Sequence, residues 1–520
     1  MDFGLNANSL VLTSFVLAFA FNGFFKRLLK CCGPTIAEKQ PPPPSPPALP
    51  FIGHLHLIGR VLPVSLQSLA RRYGPLMAIR LGASTCVVAS DSSSAKEIFK
   101  TQELNFCSRP EFGSAEYFIY RGSRFILAQY GDYWRFMKKL CMTKLLAVPQ
   151  LEKFADIREE EKIKLVESVA DCCRDRRPCE LGGRFTTYTN NIICRMAMST
   201  RCSGNDNEAE EIKELIKTCL EFAGKVSIGD VLGPLKVLDF SGNGKKLVAA
   251  MKKYDRLVER VIKEHEAKVM EEASSDAVRT RKDILHILLE TYKDPAAEVK
   301  LTRNDIKSFL LDIFMAGADT SSAAMQWAMG ELINHPQALK KLREEIDTVV
   351  GSKRLVKESD VENLPYLRAV IRETLRLHPS APLIIRECGE DCQVNGYLVK
   401  SKTRVLVNVY AIMRDPELWK DPERFMPERF LESSEEKIGE HQMEFKGQNF
   451  RYLPFGSGRR GCAGASLAMY VMHLAVGALV QRFDWQIVGG EKADLSQGPG
   501  FAAEMARPLL CHPTDRFNPL

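Results

Sequence analysis

The stretch from Thr302 to Asn334 constrains the fold more than any other part of this chain. It contains no proline, and the His335-Pro336 pair that follows stops it. Thr302 followed three residues later by Asp305 resembles a capping arrangement at its start. About 32 residues at about 1.5 Å each make a rod of roughly 48 Å, long enough to traverse a whole domain. At its middle lies Ala316-Gly-Ala-Asp-Thr320, which propensity alone does not select. A glycine there costs close to 1 kcal/mol against alanine. A mid-helix threonine can divert a backbone hydrogen bond and open the turn. Either the helix kinks for packing, or something occupies space beside Gly317, Asp319 and Thr320.

A second constraint is the loop Phe455-Gly-Ser-Gly-Arg-Arg-Gly-Cys-Ala-Gly464, followed by a helix-forming run from Ala465 to Val480. Its glycines reach backbone dihedrals closed to other residues and leave room for a flat ligand. A helix that follows a thiolate aims its first amides back at the sulfur and favours the charged form. Arg460 stands close enough to meet an anionic group on whatever Cys462 binds. Most of the 15 cysteines must be ordinary buried hydrophobes, and their spacing shows no disulfide framework.

Together the fixed positions Phe455, Gly458, Arg460, Cys462 and Gly464 resemble the haem-ligand loop of the cytochrome P450 monooxygenases. The resemblance runs from Pro41 to the end, with motifs in family order, and is nearest to the plant microsomal group. It implies a mainly α fold with small β-sheets, haem b held by the Cys462 thiolate, and Phe455 and Gly464 shaping the cofactor loop. Asp319 and Thr320, with Gly317 beside them, match the acid–alcohol pair that relays protons to bound dioxygen. Trp134 and Lys138, four apart on one helix face, match a pair that meets a haem propionate, with Arg135 beside them. Lys138 stands where arginine is usual and suits a solvated face equally well. Arg386 matches a further propionate contact. Glu373, Arg376 and Arg429 match a buried charge network, which is tolerable only as a satisfied set.

By family position the substrate pocket draws on Phe112, Phe309, Ile313, Phe314, Ala318, Pro382, Leu383, Ile384 and Phe501. These are largely apolar. Together with stretches such as Phe136 to Lys144, they favour a pentacyclic triterpenoid, friedelane-type skeletons among them, over a flavonoid or isoflavonoid. A reductase-independent isomerase or dehydratase on the same fold is the other enzyme reading, but such relatives commonly lack the threonine at position 320. No flavin or nicotinamide fingerprint is visible, so electrons would come from NADPH-cytochrome P450 reductase, docking near Lys138, Lys139, Arg459 and Arg460.

At the N-terminus, Leu10 to Phe25 is almost wholly apolar, and Lys26, Arg27 and Lys30 follow it. That polarity fits a retained transmembrane helix with the bulk of the protein cytosolic, rather than a cleaved signal peptide. The expected organisation is an anchor over 1–30, a basic and proline-rich hinge over 31–50, and a catalytic domain over 51–520 on the endoplasmic reticulum membrane. Hydrophobic content of 45% supports a large core, and 26% charged residues argue against disorder over most of the length. A net charge of +7 without a dense basic block makes nucleic acid a poor partner.

Overall fold

The computed structural model describes residues 40–111, 117–120, 123–201, scattered positions between 211 and 221, then 242–273, 281–431, 449–490, 492–499 and 503–517. The expected membrane span at Leu10 to Phe25 lies outside these residues, as do Phe112 and Phe501. Among the described residues no helix is long and apolar enough to cross a membrane.

From Pro42 onward the chain forms one compact unit. Its axis is the central helix, Arg303–Asn334, 32 residues without a break. The reciprocal cap forms: the Thr302 hydroxyl accepts from the Asp305 amide, and the Asp305 carboxylate accepts from the Thr302 amide at 2.7 Å. Pro336 ends this helix and opens the next, Pro336–Val349, where the missing amide of a first-turn proline is harmless. Helix Leu181–Met198 packs along the middle of the central helix, and helix Ala465–Arg482, which follows the cysteine loop, packs on another side. One large apolar cluster joins these helices to Pro365–Leu377 below the cysteine loop. A second gathers around the N-terminal half of the central helix, with Phe309, Phe314 and Ala318.

The β-structure is minor. Four strands, β1 (Leu76–Leu81), β2 (Ser84–Ala89), β3 (Leu383–Glu387) and β4 (Arg404–Asn408), form a sheet in the order β1-β2-β4-β3. Only the β2–β4 pair is parallel, and β3 pairs with β4 with Arg386 opposite Val405. The proline-rich stretch is docked on this sheet rather than freestanding. Pro43 and Pro46 are buried, and the Ala78 amide donates to the Pro44 carbonyl at 2.8 Å.

Candidate active site

The cysteine loop owes its shape to a few backbone bonds. The Cys462 amide donates to the Phe455 carbonyl at 2.9 Å, and the Gly461 amide to the Gly458 carbonyl at 2.8 Å. Gly458 has φ +70°, and a Cβ there would lie 2.5 Å from a Glu103 carboxylate oxygen and 2.7 Å from the Phe99 carbonyl oxygen. No other residue fits that corner. Gly464 stands at the N-cap of helix Ala465–Arg482, where its amide favours the charged form of the Cys462 sulfur. Burial pushes the Cys462 thiol up, while the Gly464 amide and the Lys138 ammonium pull it back towards the thiolate.

Although Cys462 lies deep in the protein, it presents surface to a hollow. That cavity, about 400 Å3, is bounded on one side by Phe455, Gly456, Cys462 and Gly464, and on the other by the central helix. Phe309, Asp312, Ile313, Ala316, Gly317 and Thr320 line it at helical spacing, one stripe of one helix. The chain therefore brings Cys462, Gly317 and Thr320 into the wall of one chamber.

Gly317 is small for a reason the sequence did not reveal. A Cβ there would stand 2.4 Å from Cδ1 of Ile193, so the glycine lets helix Leu181–Met198 approach. The Thr320 hydroxyl donates to the Ala316 carbonyl at 2.8 Å, the diverted bond expected of a mid-helix threonine, yet the helix continues unbroken. The Thr320 carbonyl in turn accepts from Ser380 Oγ at 2.8 Å. Asp319 has Glu504 for a neighbour; burial, and then the Asp319 carboxylate, push Glu504 up.

Three guanidiniums converge on the cavity: Arg109, Arg386 and Arg460. No carboxylate of the described residues lies within ion-pair distance of any of them. Arg109 donates to the Ile385 carbonyl at 3.1 Å, and Arg386 donates to the same carbonyl at 3.0 Å. Arg460 donates to the carbonyls of Ile126 and Ala128 and lies 4.6 Å over the Trp134 ring. The Nε atoms of Arg109 and Arg460 are buried without a partner. Burial draws both side chains down to about 10, and burial plus the other two guanidiniums draws Arg386 well below its ordinary value. Like charges held together away from water are tolerable only with an anion between them. The propionate carboxylates of haem would supply that anion and Cys462 would supply a thiolate to its iron, so these residues fit haem.

Several expected members stand elsewhere. Lys138 lines the cavity, but its ammonium donates to the Gly461 carbonyl at 2.8 Å and so braces the cysteine loop instead of joining the arginines. Arg135 is exposed and pairs with Asp132. Trp134 is buried and lines the cavity, stacked on Phe125 at 6.2 Å. Of the expected pocket residues, Phe309, Ile313 and Ile384 line the cavity. Phe314 and Ala318 are buried in the apolar cluster around the N-terminal half of the central helix, outside the cavity lining, and Leu383 packs into the core beneath the sheet. Pro382 is buried and its carbonyl accepts from Tyr410. A strand shows alternate residues and a helix one stripe to a chamber, and Phe314, Ala318 and Leu383 fall outside what this chamber meets. Lys139 and Arg459 are exposed and pair with Glu298 and Glu103, whereas Arg460 is turned inward to the Ala128 carbonyl.

Behind the site, Arg376 holds both oxygens of Glu373, at 2.7 and 2.9 Å, and Arg429 reaches Glu373 at 3.1 Å. Remaining donors of the two arginines meet the carbonyls of Met413, Pro422, Arg424 and Lys420. All three side chains are buried, and the set is saturated with partners.

The Cytochrome P450 family pattern matches residues 43–512. A curated relative, 3,9-dihydroxypterocarpan 6A-monooxygenase of Glycine max, is 42% identical over 486 residues, covering 93% of this chain and 94% of that protein. Beta-amyrin 24-hydroxylase of Glycine max is 40% identical over 482 residues, covering 92% and 93%. A solved zebra fish cytochrome P450 with progesterone matches with TM-score 0.73 at 24% identity, over 87% of this chain and 99% of its own, which speaks for the fold. The class is thus an oxidoreductase of the haem-thiolate type. This chain belongs to the cytochrome P450 family and is a plant-type monooxygenase, with the family's haem as cofactor.

Proposed function

We propose that this enzyme inserts one oxygen atom from dioxygen into an apolar plant metabolite, a pentacyclic triterpenoid, with electrons from NADPH-cytochrome P450 reductase at the endoplasmic reticulum membrane. The observation that carries the substrate class is the lining of the chamber beside Thr320. Phe125, Ile192, Ile193, Phe309, Ile313 and Ile384 are apolar, and several polar side chains of the wall are spent on the protein. Thr189 donates to the carbonyls of Phe185 and Ala318, Ser380 to that of Thr320, and Asp312 accepts from Arg124. A polyhydroxylated flavonoid leaves its hydroxyls unpaired in such a wall, and each unpaired buried hydroxyl weakens binding by roughly 1–3 kcal/mol. A friedelane-type or related skeleton has little to lose there. One relative is named for beta-amyrin, a reading in keeping with this wall; another is named for a dihydroxypterocarpan, which keeps the flavonoid-type alternative open to test.

Haem, when bound, supplies dioxygen activation and the oxidising power for attack on a C–H bond. The residues divide the remaining work. Cys462 would hold the haem iron through its sulfur, steadied by the nearby Gly464 amide and by Lys138 through the loop carbonyl. Arg109, Arg386 and Arg460 would receive its propionates. Thr320, on the facing wall, holds a proton donor over the reacting side, and Asp319, with Glu504 beside it, resupplies that proton from the exterior end. The apolar wall excludes water and orients the substrate. Microsomes containing this enzyme and a plant reductase, fed a mixed triterpenoid and flavonoid panel, are expected to hydroxylate a triterpenoid. Turnover of flavonoids alone defeats the substrate assignment.

A further inference from the structure

The segment Ser123 to Ala128 crosses one edge of the chamber, and two of its side chains, Phe125 and Ile126, line the wall. It has few regular backbone bonds of its own, a turn from the Ala128 amide to the Arg124 carbonyl at 2.7 Å being the main one. What holds it is Asp312, the one carboxylate among the central-helix residues lining the chamber. One Asp312 oxygen accepts from Arg124 Nε at 2.6 Å, and the other accepts from the Ile126 amide at 3.0 Å. Both partners are inside the protein: the side chains of Arg124 and Asp312 are 8% and 1% exposed. On its opposite side the same segment offers the carbonyls of Ile126 and Ala128 to Arg460 of the cysteine loop. The segment is therefore strung between the two walls, pinned to the central helix by its amide and side chain and to the cysteine loop by its carbonyls.

We propose that Asp312 is a positioning residue, which through Arg124 and the Ile126 amide latches the 123–128 segment over the chamber and so governs entry of small molecules to the haem side. The latch rests on the haem reading above, since Arg460 and Cys462 belong to that site. Asp312 shares its helix face with Ala316 and Thr320 at four-residue spacing, yet its oxygens are both engaged by the segment, so it acts on access rather than on the proton path. A buried ion pair of this kind is weak as a source of stability and better suited to fixing one arrangement among several.

Three measurements test it. In the unaltered holoenzyme, hydrogen exchange of the peptide covering 123–128 should show the Ile126 amide protected to the level of the central helix. Carbon monoxide is the probe of entry: its association rate with the reduced haem protein after flash photolysis should rise roughly fivefold or more in Asp312→Asn, as expected for freeing a loop that gates a site. Because that variant strands Arg124 and can misfold, the paired variant Arg124→Met/Asp312→Leu removes both charges at once. It should keep the thiolate-haem spectrum and show the same faster association, whereas Arg124→Lys should stay within about twofold of the parent. An Ile126 amide that exchanges as fast as an open loop overturns the latch, and so does a paired variant with the parent's association rate. Loss of the thiolate-haem spectrum from the unaltered protein instead defeats the underlying site.

Discussion

Replacing Arg109 with methionine should move the haem-free and haem-loaded proteins in opposite directions. Its guanidinium is held at about 10 against an ordinary 12.5 by burial alone. At about 1.36 kcal/mol per pKa unit this corresponds to a penalty of roughly 3 kcal/mol for keeping the charge there. Methionine removes the charge and keeps most of the side-chain volume. It also removes the bond to the Ile385 carbonyl, which is worth about 1 kcal/mol net. The haem-free protein should therefore gain about 2 kcal/mol, a ceiling because the side chain borders a hollow. With haem bound, the same change deletes a charge-assisted contact to a propionate, typically about 1.5–3 kcal/mol, so the cofactor should leave faster. Denaturant unfolding of both forms and haem transfer to apomyoglobin read the two effects separately. A haem-free variant less stable than its parent, with haem transfer unchanged, refutes the idea that these three arginines await an anion.

Other outcomes follow from the same geometry. Glu373→Gln strands Arg376 and Arg429 in the core and should destabilise the fold by about 3–5 kcal/mol, read as a lower unfolding midpoint. Glu331 accepts from His378 at 2.7 Å and is held at about 2 by its two histidine partners, which outweigh its burial. Burial draws His378 down, opposed by the Glu331 carboxylate it meets. Because the folded value of Glu331 lies below the unfolded one, the stabilisation is complete above about pH 4.5 and is lost as pH falls towards 2. Glu331→Gln should therefore flatten the acid limb of a stability–pH curve. Thr320→Val keeps shape but removes the hydroxyl, and product formed per dioxygen consumed should fall on the order of a hundredfold.

How much could be read from the chain depended on how local each feature was. The cysteine loop, the capped central helix and the Glu373–Arg376 pair are each written within a few residues, and the structure builds each of them. Strands at 76–81 and around 405 showed as short apolar runs and were found within a residue or two. Arg109 gave no such signal. It is one arginine between Cys107 and Pro110, and its place is set by a bridge from Ser108 to Glu387, far along the chain. The Arg124–Asp312 pair is equally non-local, and an aspartate in a long helix reads as a solvated face until the partner is seen. The helix position of Lys138 suggests a propionate contact, but its ammonium donates to the Gly461 carbonyl at 2.8 Å, a partner more than 300 residues along the chain. Chain position alone selects the pocket residues, and the structure places Phe309, Ile313 and Ile384 in the lining but not Phe314, Ala318, Pro382 or Leu383.

The central claim is that Cys462 holds the haem from one wall of a chamber whose other wall carries Thr320. The most direct test is the carbon monoxide spectrum of the reduced protein, recorded for the parent and for Cys462→Ala. The parent should give the red-shifted band of thiolate-ligated haem, and the variant should lose it. A variant that retains that band contradicts the account.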